Sequence, residues 1–349
     1  THLRGGGKGD MYVTAVVEIP KKLTNQQKEL LRQFEGTTNN SQYEKKKSFF
    51  DKFTGTDPTS IIQLREELLK GDGDAINIPL LMPLTGTGIE GDNVLEGNEE
   101  ALVYRDFKVE LNQWRNAVRI KGRLEEQKTQ LDLRRDAKYA LSEWLATKID
   151  NMIFSALTDS PTSDRIVYGG TATSIGSIGA ADTFDTKIIG RAKRLALANE
   201  NTQIKPVKVD GRDTFVMVID QWMARDLKAD ESFQAAQQYA NIRGQDNPIF
   251  TGALGWYDGV VIHVSNRIPR DTTGSGGTTV GHGLFLGAQA AVFAVGNQPT
   301  WDEKYFDYNS KYGVSFGRIF GIKKSQFKYD GTNYTDFGCI NVLCASIDD

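Results

Sequence analysis

Residues 132–157 read DLRRDAKYALSEWLATKIDNMIFSAL, and this stretch decides the fold. Its apolar side chains fall at Ala137, Leu141, Trp144, Leu145, Ile149, Met152, Ile153 and Ala156. That is the spacing of a helix with one buried stripe. Asp132 is placed to cap the start, and nothing breaks the run before Ser160-Pro161 stops it. On either side lie Gly-rich loops and alternating, strand-like segments. One long helix laid across sheets gives an α+β body with the helix as its backbone.

Composition narrows the function classes. The 349 residues leave room for one large or two modest domains. A net charge of −3, with 25% charged and 39% hydrophobic residues, is an ordinary globular balance. The slight acidity argues against a general nucleic-acid binder, which is usually basic. No apolar run is long enough to span a bilayer, and no signal-peptide pattern is visible, so no membrane partner is expected. Cys339 and Cys344 stand five residues apart on an expected strand and therefore point to opposite faces. They read as reduced, buried small residues and not as a disulfide, which suits synthesis in a cytoplasm. His2, His263 and His282 are the only histidines, so histidine chemistry has few candidates.

Outward from the long helix, the preceding segments carry a charge pattern. Ser60 to Leu69 reads as a short amphipathic helix with Ile61, Ile62, Leu64 and Leu68 on its apolar side. INIPLLMPL (76–84) is extended, and Pro79 and Pro83 suit an edge or an exposed ribbon. Glu90, Asp92, Glu96, Glu99 and Glu100 then follow with no base among them. Phe107, Val109 and Leu111 alternate, and the phase slips before Trp114, Val118 and Ile120, which predicts a bulge or bend. The return strand carries Arg115, Arg119, Lys121 and Arg123. Residues 76–123 thus read as a long two-stranded arm, acidic near its turn and basic on its return. A long hairpin is marginal alone and needs a surface to lie on, such as a neighbouring copy of the chain. Glu96, Glu99 and Glu100 facing Arg115, Arg119, Lys121 and Arg123 of another copy is the contact this pattern suggests. A solvated, salt-balanced ribbon fits the same charges, and charge pattern alone favours it.

After the helix, residues 158–183 read as loop and Ile188–Ala198 as a further helix. Thr214–Ile219 is a buried-type strand, Asp220 caps QWMARDLKAD, and ESFQAAQQYA is helical again. Val260–Val264 is a strand closed by Pro269, residues 271–283 a flexible Gly/Thr loop, and Leu284–Val295 a small-residue apolar run. Residues 313–327 and 337–347 read as two strands around a turn at Asp330-Gly331.

Several patterns imitate chemistry. Gly86-x-Gly88-x-x-Gly91 matches a dinucleotide fingerprint, but no helical period follows it, and Glu90 and Asp92 repel phosphate. Gly313-Val-Ser315-Phe-Gly317 spells a nucleophile elbow, but no histidine follows Ser315 in the chain, so the triad order fails. The acids at 90–100 lack calcium-loop spacing. His263 alternates with Val and Ile and reads as a packed or surface strand residue. No Walker loop, zinc ligand set or kinase signature occurs. The expectation is no catalytic residue, no cofactor and no metal.

Two resemblances bear on identity. Met11–Ile19 alternates as a strand, Pro20 ends it, and Thr24-x-x-Gln27 is a capping box before Leu30, Leu31 and Phe34. The wording of residues 5–35, GGGKGDMYVTAVVEIPKKLTNQQKELLRQFE, resembles the C-terminal end of DnaJ-type co-chaperones. The J domain with its His-Pro-Asp motif is absent, as are the zinc-binding cysteine pairs, so the activity does not carry over. A DnaJ-related adaptor lacking a J domain is the alternative function. Residues 36–47 read as a linker, making 1–47 an arm of its own.

From Ser48 onward the chain resembles the major capsid (coat) proteins of tailed bacteriophages, in the N-four-like coat family. The resemblance is carried by Phe53-Thr-Gly-Thr with Ser60-Ile-Ile-Gln, and by Leu84-Thr-Gly-Thr-Gly with Leu95-Glu-Gly-Asn-Glu-Glu-Ala-Leu. Further pieces are Gln113-Trp-Arg-Asn-Ala-Val-Arg, Asn247-Pro-Ile-Phe-Thr-Gly-Ala-Leu-Gly and Leu286-Gly-Ala-Gln-Ala-Ala. Phe306-Asp-Tyr and Gly317-Arg-Ile-Phe-Gly-Ile-Lys-Lys complete it. It implies a Hong Kong 97-type α+β fold with a long spine helix, an extended β-ribbon loop and a mixed α/β axial domain. It divides the chain into an N-terminal capsid arm (48–75), an extended loop (76–123) and a peripheral domain (124–204) whose spine helix is 132–157. An axial domain (205–295) and C-terminal strands returning to the peripheral domain (296–349) follow. The implied function is an icosahedral shell around a double-stranded DNA genome, located in the virion and made in the bacterial host cytoplasm. The implied partners are copies of the chain in hexamers and pentamers, scaffold, portal and decoration proteins, and packaged DNA held without sequence preference.

Overall fold

The computed structural model describes residues 48–69, 73–82, 84, 86–128, 133–198, 202–209, 212–239, 254–329 and 331–348. The strand and capping box expected before residue 48, the cap at Asp132, most of the 247–255 motif and Asp330 lie outside them. In chain order, the labelled elements begin with β1 (Ile62–Arg65), β2 (Ala75–Leu81), β3 (Tyr104–Glu110) and β4 (Asn112–Arg119). The long helix α1 (Leu133–Thr158), β5 (Ile166–Tyr168), α2 (Thr186–Leu197) and β6 (Arg212–Ile219) follow. Next come α3 (Gln221–Ala229), α4 (Glu231–Tyr239), β7 (Val260–Val264), β8 (Val280–Leu286) and β9 (Ala291–Val295). The last are β10 (Thr300–Phe306), β11 (Lys311–Lys324) and β12 (Cys339–Ala345).

The long helix is where its periodicity places it. Ala137, Leu141, Leu145 and Ile153 are buried, and Trp144, Ile149 and Met152 pack half-buried beside them. Phe154, Leu157 and, unexpectedly, Asp150 join the buried face. The helix ends because Ser160 turns to φ 43° ahead of Pro161, and because Lys324 Nζ donates to the carbonyls of Asp159 (2.9 Å) and Ser160 (3.3 Å). A cation on the last carbonyls also suits the helix dipole. Asp336, itself fully buried, holds Lys324 Nζ at 3.0 Å.

Helix α1 joins two sheets. Among the described residues one sheet has eight strands, running β5–β12–β8–β6–β7 and ending on Gly255–Tyr257. The other has six: Thr54–Gly55, β1, β9, β11 and β10 in order, with β4 on the opposite edge of β11. Strand β6 alternates as a central strand must: Phe215, Met217 and Ile219 face α2 and α3, while Val216 and Val218 face α1. The core under α1 mixes Val216, Val218, Leu284 and Leu286 of the first sheet with Phe293, Val295 and Phe320 of the second. Fully burying each such side chain is worth roughly 1.5–3 kcal/mol. Cys339 lies in this core and Cys344 in the one on the other face, both unpaired, as the five-residue spacing requires.

Four expectations are corrected. Residues 60–69 are not a helix: Ile62–Arg65 is a strand that pairs in parallel with Ala291–Ala294 and with Thr54–Gly55, leaving one short turn at Glu67–Leu69. Pairing that buries Ile61, Ile62 and Gln63 in a row outweighs a helical pattern only ten residues long. The two-stranded arm ends at Glu110, because Leu111 breaks the phase and β4 pairs with β11 instead. Residues 271–283 are not all loop, since β8 starts at Val280 and Asp271 pairs with it. The two C-terminal strands β11 and β12 belong to different sheets, and only Gln326–Phe327 and Thr335–Asp336 pair across the turn between them.

Candidate assembly surfaces

The ribbon is built from β2 and β3, which pair antiparallel from Ala75↔Glu110 to Leu81↔Tyr104. Alternation puts Ile76, Ile78, Phe107 and Val109 on one face, at 0–7% exposure, against Val292, Ala294 and Phe327 of the body. Beyond Leu81 that support ends. Leu84, Ile89, Val94, Leu95, Leu102, Val103 and Tyr104 are exposed, Val94 and Leu84 by 68% and 65%. Glu90, Asp92, Glu96, Glu99 and Glu100 share this loop and are exposed too. Glu99 bends back to accept the Gly97 N–H at 2.7 Å. The far end is therefore apolar and acidic together.

The cations of the return strand sit elsewhere, on an edge of the six-stranded sheet. Trp114 and Val118 point toward α1, where Lys148 Nζ lies 4.2 Å from the Trp114 ring centre. Arg115 and Arg119 therefore project from the opposite face. Opposite them β11 presents only Gly317, Ser315 and Gly313, paired with Arg115, Ala117 and Arg119. The Arg119 guanidinium stacks 4.4 Å from the Phe306 ring centre, and Lys304 Nζ lies 5.3 Å from the same ring. Lys121 and Arg123 are exposed beside it, where the Arg123 N–H donates to the Ser310 carbonyl at 3.2 Å.

The turn closing β10 and β11 completes this surface. Asp307, Tyr308 and Asn309 have φ of 51°, 48° and 64°, a run that non-glycine residues rarely adopt. It leaves Tyr308 fully exposed, while Tyr305, in β10 on the face opposite Phe306, lies against Tyr312. Lys311 pairs with Asp307 at 3.0 Å. The structure thus gathers Arg119, Lys121 and Arg123 with the turn that exposes Tyr308, keeps Arg115 four residues back along the strand, and leaves Glu96, Glu99 and Glu100 on the distal loop. Tyr308 was not legible as part of this surface, because only the left-handed turn exposes it.

Two polar nodes support these surfaces from α1. Arg134 forks onto Glu303 of β10, with the closest approach 2.6 Å, and the Trp301 indole donates to the same carboxylate at 2.9 Å. Those hydrogen bonds, Trp301 first and then Arg134, hold the Glu303 carboxyl below its usual range. Asp150, fully buried, accepts the N–H groups of Phe49 (2.8 Å) and Phe50 (3.3 Å), the Ser48 hydroxyl and the Arg267 guanidinium. It fastens the start of the described chain to the middle of the long helix. An acid on an otherwise apolar stripe was the sequence signal for it.

The chemical imitations come apart. Ser315 lies mid-strand in β11, its hydroxyl 3.4 Å from the Asp302 carbonyl, while His282 is in the other sheet beside Asp271 at 2.9 Å. No helix follows Gly86–Gly91. His263 is buried against Phe49 and Phe53, with Lys52 Nζ 3.2 Å from its Nδ1. Among the described residues no group of three His, Cys, Asp or Glu side chains is placed to hold a metal ion. No helix among them is long and apolar enough to cross a membrane.

A family described as "Phage capsid protein" matches residues 22–347, beginning inside the segment set apart as an arm. The major capsid protein of Pseudomonas phage KPP25 is 31% identical over 374 aligned positions, covering 93% of this chain and 96% of that protein. The solved capsid of Ralstonia phage GP4 superposes with a TM-score of 0.76 at 27% identity, covering 100% of this chain and 99% of that one. The expected Hong Kong 97-type fold agrees with these neighbours. Separately, 51 residues are 53% identical to the chaperone protein DnaJ of Caldicellulosiruptor saccharolyticus, which is 15% of this chain and 13% of that protein.

Proposed function

The chain belongs to the phage capsid protein family, and on that premise we propose that many copies close into an icosahedral shell around double-stranded DNA, as a structural protein and not an enzyme. The observation that carries the proposal is the far end of the ribbon. Seven large apolar side chains from Leu84 to Tyr104 stand exposed on an element that is marginal alone. A second copy is the partner such a loop calls for. In this reading residues 48–75 are the arm, 76–110 the extended loop with 111–123 its return into the body, 124–204 the peripheral domain with its spine helix at 132–157, 205–295 the axial domain and 296–349 the returning strands.

The acidic loop and the basic end of the six-stranded sheet are different surfaces. A contact between them is therefore head-to-tail, the kind that forms rings such as hexamers and pentamers when its rotation closes. Glu96, Glu99 and Glu100 of one copy face Arg115, Arg119, Lys121 and Arg123 of the next. Scaffold, portal and decoration proteins are further partners in this reading. Synthesis in the host cytoplasm, ahead of incorporation into the virion, agrees with the two unpaired, buried cysteines.

Negative-stain electron microscopy and sedimentation of the full chain, beside a chain starting at Ser48, test the reading. Closed particles or rings are expected from both. Strict monomers or dimers from both, across salt conditions, would overturn it. Arg119→Glu is expected to weaken assembly about tenfold or more, and adding Glu99→Arg to restore it. Normal shells from Arg119→Glu alone would remove this contact.

A further inference from the structure

The two faces of the eight-stranded sheet differ in what they show to solvent. Helix α1 covers one, and α2, α3 and α4 cover the other. Within that second layer α2 stands apart in charge. Residues 186–197 contain Lys187, Arg191, Lys193 and Arg194 and no acid. Ile188, Ile189, Ala192 and Ala196 are all buried on the sheet, so Lys187, Arg191 and Arg194 fall on the outward side and Lys193 at its flank. Helices α3 and α4 are mixed by contrast, with Asp226 pairing Arg225, and Glu231 near Lys228.

The four cations divide into two pairs. Arg191 donates to the carbonyls of Tyr168 and Gly170, both at 3.1 Å, and Lys193 to the Asp258 carbonyl (2.7 Å) and carboxylate (2.8 Å). These two fasten the helix to neighbouring loops. Lys187 and Arg194 are exposed. They stand seven residues apart, two turns, and so share a face about 10 Å long. Three described acids beside the helix are already engaged. Asp185 caps the helix through the Ile188 N–H at 3.0 Å, Asp230 accepts from Thr186 at 2.7 and 2.8 Å, and Asp258 holds Lys193. A shallow notch runs beside Arg194, floored by Gly190, where an added Cβ would meet nothing within 4 Å.

We propose that this outward face of α2 is where the subunit meets double-stranded DNA, through phosphate contacts from Lys187 and Arg194. The proposal rests on the shell reading and adds which surface touches the genome. Phosphate recognition needs cations and asks for no apolar partner. The exposed face of α2 offers that, with Leu197 its one exposed large apolar side chain. The acidic loop is a different ligand, since it carries exposed Val94, Leu95 and Leu102. It matches the Arg119 surface, where Arg119 and Lys304 stand on the Phe306 ring next to the turn that exposes Tyr308. Phosphate contacts carry no sequence information, so the contact is indifferent to sequence.

The test uses the dispersed full-length chain, a short fluorescent duplex of random sequence, and salt from about 50 to 200 mM. Lys187→Glu with Arg194→Glu is expected to cut affinity about tenfold or more and to flatten the log–log salt slope by about 2, at roughly 0.9 per lost phosphate contact. Lys187→Gln with Arg194→Gln, which adds no acid, should flatten the slope similarly. Lys108→Glu with Lys228→Glu, an equal charge change elsewhere, should stay within about threefold of the unaltered chain. Equal losses in both charge-reversed pairs would mean net charge alone acts and would overturn the proposal. Unchanged DNA affinity with failed assembly in the α2 variant would also overturn it, assigning the face to another copy. Shell formation by the unaltered chain is scored on the same preparations, so failure of the shell reading registers separately.

Discussion

The root and the far end of the ribbon are made of the same kinds of side chain and treat them in opposite ways. At the root, Ile76, Ile78, Phe107 and Val109 are closed against Val292, Ala294 and Phe327. At the far end, Leu84, Val94, Leu95 and Leu102 stand in solvent on a loop that also carries five acids. Both ends carry large apolar side chains, so apolar content alone does not decide burial; the supply of a partner does. The root finds its partner in its own chain. In the proposed shell, another copy provides the partner that the far end lacks.

The largest effects should come from the buried half of this contrast. Phe107→Ala is expected to destabilise the dispersed subunit by about 3–5 kcal/mol in denaturant unfolding. A loss below about 1 kcal/mol would mean that the root is not core. Asp150→Ala should cost a similar ~3–5 kcal/mol, because it leaves Arg267 and two backbone N–H groups without their acceptor. Its unfolding midpoint, compared with that of Phe107→Ala, ranks the arm anchor against the ribbon root.

The exposed half should behave differently. Val94→Ser with Leu95→Ser is expected to change subunit stability by no more than about 0.5 kcal/mol, as surface substitutions do. The same pair should raise the concentration needed for assembly about tenfold or more, each lost apolar burial being worth over 1.4 kcal/mol and hence a factor of ten. Light scattering against protein concentration reads this directly. A large drop in subunit stability would show the loop to be core after all.

The smallest effect concerns the thiols. Burial pushes Cys339 from the ordinary 9.0 up to about 12, and Cys344 upward as well. Alkylation of the folded protein near neutral pH should be slow and become fast on unfolding. Because the folded thiol is the weaker acid, the stability tied to it is full below about pH 9 and falls as pH climbs toward 12. Unfolding midpoints across that range should decline.

The sequence is most legible where one element buries one periodic face. Helix α1, α2 with its Asp185 cap, α3 with its Asp220 cap, and β6 all carry their signal within a single window. It is least legible where pairing is long-range. Strand β1 is a strand because Ala291–Ala294, some 230 residues on, pairs with it. The slip at Leu111 was visible as a bend, but that β4 leaves the ribbon for β11 was not, since nothing in residues 112–119 names its partner. The charges of the candidate surfaces could be read directly. Their geometry could not, because exposure of Tyr308 depends on a left-handed turn at Asp307–Asn309 with no glycine to announce it, and stacking of Arg119 on Phe306 depends on the pairing that sets both beside Gly313.

Hydrogen exchange followed by mass spectrometry, on dispersed subunits and on assembled shells, tests the central contrast most directly. Peptides spanning residues 76–78 and 107–109 should be protected in both states, and those spanning 86–103 should exchange freely in subunits and at least about tenfold more slowly in shells. Equally fast exchange of 86–103 in both states would contradict the account, because the loop would then have gained no partner on assembly.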